Sequence, residues 1–138
     1  MSIIYYDVKL NDVIPKLKQI LERDSRIKIA VIFGSILYEG PVRDIDVAVY
    51  SNPPLSLKEV LLLSDELERA INVPVDLVPL DRVDPRLQYR ILMEGLPIVV
   101  KDRNLYDKLV LLALGQIQDM EIKLRMQPSM IVSLISLC

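Results

Sequence analysis

Two aspartates separated by one apolar residue, Asp44-Ile45-Asp46, stand at the head of the apolar run Val47-Ala48-Val49-Tyr50. In a strand, residues two apart point to the same face, so Asp44 and Asp46 would present their carboxylates together while Ile45, Val47 and Val49 pack on the other side. Two like charges held close in a partly buried site are costly unless protonated or bridged by a cation, and an oxygen-only donor set suits Mg²⁺ or Mn²⁺. A third carboxylate, Asp76, sits inside the short apolar segment Pro74-Val75-Asp76-Leu77-Val78, which could lie beside the first strand. The pairs Glu66/Glu68 and Asp119/Glu121 fall on helical patterns, where i and i+2 diverge, and read as solvated surface. Upstream, Gly34-Ser35 ends another apolar run. Glycine lets the backbone approach a ligand, the amides of the following turn can hold a phosphate, and the Ser35 hydroxyl adds a donor. A Gly-Ser after a strand is more often only a turn; beside three strand-borne carboxylates it becomes half of a specific constellation.

Composition narrows the chemistry further. The 138 residues contain no histidine, which removes the usual general base, the commonest transition-metal ligand and the middle member of nucleophilic triads. Carboxylates, hydroxyls, lysine, backbone amides and hard metal ions are what is left. A single cysteine, Cys138, allows neither an internal disulfide nor a thiolate zinc cluster, and a reducing compartment is the simplest reading. Seventeen basic against nineteen acidic residues, a net charge of −2, argue against a protein that coats nucleic acid. No secretory signal or membrane-length apolar stretch is visible, so a soluble, cytoplasmic protein is expected. The length and a hydrophobic share of 51% fit one packed domain.

The elements that must position these residues follow from periodicity. A helix is expected over residues 12–23, with Asn11 as its cap and Pro15 in its first turn. The β-branched run 27–33 reads as a buried strand, 44–50 as a second. Ser56 and Glu59 form a capping-box pattern for a helix over 57–71. A third strand over 73–78 begins at, or lies near an edge because of, Pro74. Asp84 and Pro85 open a helix that runs to Glu94 and closes at Gly95. A fourth strand spans 97–101, and Asn104 opens a long helix to about 126, ahead of Pro128. The fold class is α/β or α+β: a small mixed sheet packed with helices.

The order strand, Gly-Ser, Gly, Asp-x-Asp, helix, strand with a third Asp resembles the DNA polymerase β nucleotidyltransferase superfamily, and more narrowly its minimal nucleotidyltransferase (MNT) proteins. The resemblance spans about residues 27–102, because Leu87-Gln88-Tyr89-Arg90-Ile91-Leu92 through Glu94-Gly95 reads like the family's continuation. It implies that Gly34 and Ser35 form the triphosphate-binding turn, Asp44 and Asp46 the metal pair, and Asp76 the third carboxylate. Eight residues, 36–43, separate Ser35 from Asp44 where the family commonly has roughly ten. Leu37-Tyr38-Glu39-Gly40 replaces a small-Arg-Gly sequence, leaving Arg43 either to compensate at the nucleotide or simply to form a salt bridge. The resemblance further implies a nucleotidyltransferase using Mg²⁺ or Mn²⁺ and ATP, with a HEPN-domain protein as partner in a toxin–antitoxin pair and AMP transferred to its tyrosine. A non-catalytic antitoxin that inhibits by complex formation is the alternative. Transfer to a small molecule is less favoured, since the chain holds no additional substrate domain. The whole chain, 1–138, reads as one minimal domain whose helix and apolar tail, 104–138, either pack on the core or form a homodimer or partner interface.

Overall fold

In the computed structural model, which describes residues 4–38 and 40–125 (backbone only for 124 and 125), the apolar runs become four strands. They are β1 (Ile27–Phe33), β2 (Ile45–Ser51), β3 (Val75–Pro79) and β4 (Leu96–Val100). Four helices accompany them: α1 (Leu10–Arg23), α2 (Leu57–Ile71), α3 (Pro85–Glu94) and α4 (Arg103–Arg125). The strands form one sheet in the order β3-β2-β1-β4. β1 runs antiparallel to both β2 and β4, while β2 and β3, joined by α2, are parallel. This is the mixed sheet expected from the sequence. The three prolines of the strand regions obey the edge rule: Pro74 stops just short of β3, Pro79 ends it, and Pro97 lies in β4, each strand having a single neighbour.

The sheet buries both faces. On one side Val13, Leu17 and Leu21 of α1 and Val60, Leu67 and Ile71 of α2 pack against Ala30, Ile32, Val47 and Leu77. On the other, Ile91 and Leu92 of α3 and Tyr106 of α4 pack against Ile29, Val31 and Ala48. The alternation along β2 sends Ile45, Val47 and Val49 to the α1/α2 face and Asp46 and Ala48 to the opposite one.

Caps set most boundaries. The Ser56 hydroxyl accepts from the Glu59 amide at 3.2 Å while the Glu59 carboxylate accepts from the Ser56 amide at 3.0 Å, so α2 begins where its capping box places it. Asp84 accepts from the Arg86 amide at 2.8 Å ahead of Pro85. Two caps differ from expectation. Lys9, not Asn11, precedes α1, and its turn is closed by the Lys9 carbonyl, which accepts from Asp12 and Val13 without any side-chain cap. Asn11 is therefore helical and Pro15 lies a little deeper, where the exposed Asn11 carbonyl that loses a donor can be met by water. At α4, Asp102 rather than Asn104 is the cap, its carboxylate accepting from the Leu105 amide at 3.1 Å. The apolar tail beyond residue 125 lies outside the described residues.

One hydrogen bond locks α3 to α4. The buried Tyr106 hydroxyl donates to the Leu92 carbonyl, one of the last carbonyls of α3 that have no helical partner of their own. Burial also raises the Tyr106 hydroxyl above the ordinary phenol range, which keeps it a donor. Tyr106→Phe leaves that carbonyl unpaired and is expected to cost about 1–2 kcal/mol, read from urea denaturation. An unchanged midpoint would show that water replaces the hydroxyl.

Candidate active site

The candidate residues gather at one edge of the sheet, where β1 ends and β2 and β3 begin. Asp46 is the second residue of β2 and stands opposite Phe33 of β1 and opposite Asp76 of β3. Two features hold β2 in this register at its start. The Ile45 amide donates to the Pro74 carbonyl at 2.9 Å, and an isolated two-way bridge joins Tyr6 to Val42 just upstream, at 2.7 and 2.9 Å. Asp44 immediately precedes β2, partly buried like Asp46, whereas Asp76 is exposed.

Gly34 follows Phe33 with φ 83° and ψ −154°, a conformation open essentially to glycine alone. A Cβ there would run into the Asp46 carboxylate. The backbone therefore requires glycine, and a Cβ would in addition push the Asp46 carboxylate aside. A short turn, Ser35–Leu37, continues from it: the Leu37 amide donates to the Gly34 carbonyl at 3.2 Å and the Tyr38 amide to the Ser35 carbonyl at 3.0 Å. Ser35 is exposed and Ile36 anchors the turn in the core.

The electrostatics carry the mark of crowded like charges. Burial first, then the negative charges of Asp44 and of Asp76, push the Asp46 carboxyl up to about 6. Among the described residues no ion pair neutralises any of the three. Their donor set, all carboxylate oxygen, fits a hard divalent cation. As the side chains stand, however, no three carboxylates among the described residues converge on a common point for an ion.

The charge on Asp46 predicts a pH dependence. Its folded-state pKa lies above the ordinary carboxyl value of about 4, so between those values the native state holds more protons than the unfolded one. Stability without metal thus falls as pH rises from about 4 through about 6, and the full cost persists above. Asp46→Asn is expected to be more stable than the parent at pH 7.5 by about 1–2 kcal/mol, allowing for solvent screening, with the gain vanishing near pH 4. Urea denaturation in chelator at both pH values checks it; a variant no more stable at pH 7.5 would contradict it.

Arg43, the cation expected at the nucleotide, is exposed and does not line the cleft beside Gly34. Sequence reasoning missed that cleft. It lies between the Gly34 turn and α3, and Leu87, Arg90, Ile91 and Glu94 line its α3 side. Their spacing of three and four residues places them on one helical face, a signal available in the sequence once α3 is known to pack beside β1.

The arrangement of glycine turn, paired aspartates and third strand aspartate can be compared with known proteins. The family described as "Polymerase beta, Nucleotidyltransferase" matches residues 15–104, well over half of the chain and inclusive of all these residues. The chain belongs to this polymerase beta nucleotidyltransferase family. No curated protein matches it closely in sequence. Among solved structures, it is similar to a chain in the complex of tri-AMPylated Shewanella oneidensis HEPN toxin with MNT antitoxin, at TM-score 0.70 and 18% identity over 91% of this chain and 98% of that one. A chain of the toxin–antitoxin MntA–HepT matches at TM-score 0.68 and 18% identity, covering 91% and 98%. A chain of the toxin-antitoxin with AMP-PNP matches at TM-score 0.68 and 19% identity, covering 92% and 99%. At these identities the likeness establishes the fold, a polymerase β-like nucleotidyltransferase sheet with its C-terminal helix. No helix among the described residues is long and apolar enough to cross a membrane.

Proposed function

We propose that the chain transfers AMP from ATP to a tyrosine hydroxyl of a HEPN-type partner and so acts as the antitoxin of a toxin–antitoxin pair, in the cytoplasm. The observation that carries this reading is the register Asp46 opposite Asp76, with Gly34 packed against the Asp46 carboxylate. It puts the Gly34 turn, a crowded carboxylate pair and a separate third carboxylate along one end of the sheet. The toxin in the similar complex is tri-AMPylated, and a similar toxin–antitoxin holds AMP-PNP, which supports the same chemistry here.

Asp44, Asp46 and Asp76 would hold Mg²⁺ or Mn²⁺, which when bound supplies charge neutralisation at the α-phosphate and at both reacting oxygens. The turn at Gly34 and Ser35 offers backbone amides and a hydroxyl to the phosphates. Asp76, exposed at the edge strand, stands where a large protein acceptor can reach it and takes the proton of the attacking hydroxyl. The absence of histidine is no obstacle, because each proton and charge in this scheme is handled by a carboxylate or an ion. On α4, Leu111, Leu112 and Ile122 are exposed, a surface suited to association with a protein partner.

One observation favours a second reading, a non-catalytic antitoxin: the three carboxylates do not converge as they stand. Calorimetric titration with ATP, with Mg²⁺ and then with chelator, separates the two. Nucleotidyl transfer requires affinity that appears with Mg²⁺ and disappears without it. Absence of metal-dependent affinity would overturn the proposal in favour of simple complex formation.

A further inference from the structure

Along the sheet edge, Asp76 pairs with Asp46, which pairs with Phe33 next to Gly34. These three positions span two strand spacings, roughly 10 Å, close to the reach of a triphosphate with its acceptor. Beyond Gly34, on the side away from Asp76, lies the cleft of about 260 Å³ against α3. Among the described residues lining it Arg90 is the only cation, Glu94 the only anion, and the rest are mainly apolar.

Displacement at phosphorus is in line: the entering and leaving oxygens occupy opposite sides of the α-phosphorus. The acceptor oxygen forms its bond to that phosphorus as the bond to the bridging oxygen breaks. The electron pair stays on the bridging oxygen, which departs in pyrophosphate, and the hydroxyl proton goes to Asp76. With the acceptor at Asp76 and the α-phosphate at Asp44 and Asp46, the leaving group falls over Gly34 and the cleft. We infer that Arg90 is the pyrophosphate-holding residue of this chain, its guanidinium binding the β- and γ-phosphates in the cleft between the Gly34 turn and α3. This rests on the reading of the site as a nucleotidyltransferase.

The chemistry of Arg90 suits the role. Its planar, permanently charged fork matches phosphate oxygens two at a time. Its present partner is replaceable: Nε lies 3.7 Å from the Glu94 carboxylate, beyond hydrogen-bond length, and both side chains are mostly exposed. Glu94 then competes with phosphate for Arg90, so the pair sets affinity in opposite directions.

The test uses the full chain and variants Arg90→Ala, Arg90→Lys and Glu94→Gln, each first shown by circular dichroism to melt as the parent does. Calorimetric titration with inorganic pyrophosphate and Mg²⁺ is expected to give binding about tenfold or more weaker in R90A, partly restored in R90K, and tighter than the parent in E94Q. In transfer assays R90A is expected to raise KM for ATP and lower kcat together, with added guanidinium restoring part of the rate. Pyrophosphate affinity within twofold of the parent in R90A, or no pyrophosphate binding by the parent, would overturn the inference. If binding depends on Arg90 but no AMP is transferred, the polyphosphate site stands and the transfer reading fails. If AMP is transferred equally by R90A and the parent, the reverse holds.

Discussion

Asparagine at both Asp44 and Asp46 is expected to lower AMP transfer by on the order of a thousandfold or more while leaving the fold intact and partner association unchanged. Asp46 is held partly buried against two other carboxylates at a cost in stability, and the asparagine amide keeps its shape without the charge. Nothing in the packing needs that charge: Ile45, Val47 and Val49 bury on the opposite face, and no ion pair among the described residues uses either aspartate. The double variant therefore separates chemistry from architecture. Transfer from ATP labelled in its α-phosphate would be followed alongside co-purification of the partner. Transfer within tenfold of the parent would remove these residues from the reaction.

The second large effect is on stability. Gly34→Ala must place a Cβ against the Asp46 carboxylate and hold alanine at φ 83°, ψ −154°. Strained backbone of this kind costs about 1–3 kcal/mol, and turning the terminal oxygen of Asp46 aside adds about 0.5–1.5 kcal/mol, so a loss of about 1.5–4.5 kcal/mol is expected. Domains of this size are stable by only about 5–15 kcal/mol, so the loss is a large part of the whole. The two contributions can be parted. In an Asp46→Ala background the collision is gone and only the backbone strain remains, so Gly34→Ala is expected to cost about 0.5–1.5 kcal/mol less there than in the parent. Denaturation of the two singles and the double closes the cycle. A Gly34→Ala variant as stable as the parent would show that the turn relaxes to another conformation and that glycine is not needed there.

The parts of this fold that were readable from sequence are those encoded locally. α2 and α3 begin and end where Ser56, Glu59, Asp84, Pro85 and Gly95 place them, because each cap acts through its own side chain or its lack of one. The start of α1 escaped because Lys9 caps with its backbone carbonyl, and that of α4 because Asp102 outcompeted Asn104. In the site, Asp44, expected in the strand, lies just before β2, whereas the alternation of β2 made Asp46 readable as a strand residue and the proline ahead of β3 placed Asp76 near an edge. Their pairing opposite one another depends on strand order, which no short segment encodes. The Tyr6–Val42 bridge and the cleft on α3 are likewise long-range. Arg43 is adjacent in sequence to the aspartates, whereas Arg90 comes near Gly34 only through the packing of α3 on β1.

The proposed chemistry is transfer of a nucleotidyl group from this end of the sheet to a protein partner. Its most direct test is the intact mass of a HEPN-type partner before and after incubation with the purified chain, ATP and Mg²⁺. One or more AMP adducts on the partner's tyrosine are expected, matched by released pyrophosphate and absent in the Asp44→Asn/Asp46→Asn variant. A partner that binds the chain tightly yet keeps its original mass would contradict it.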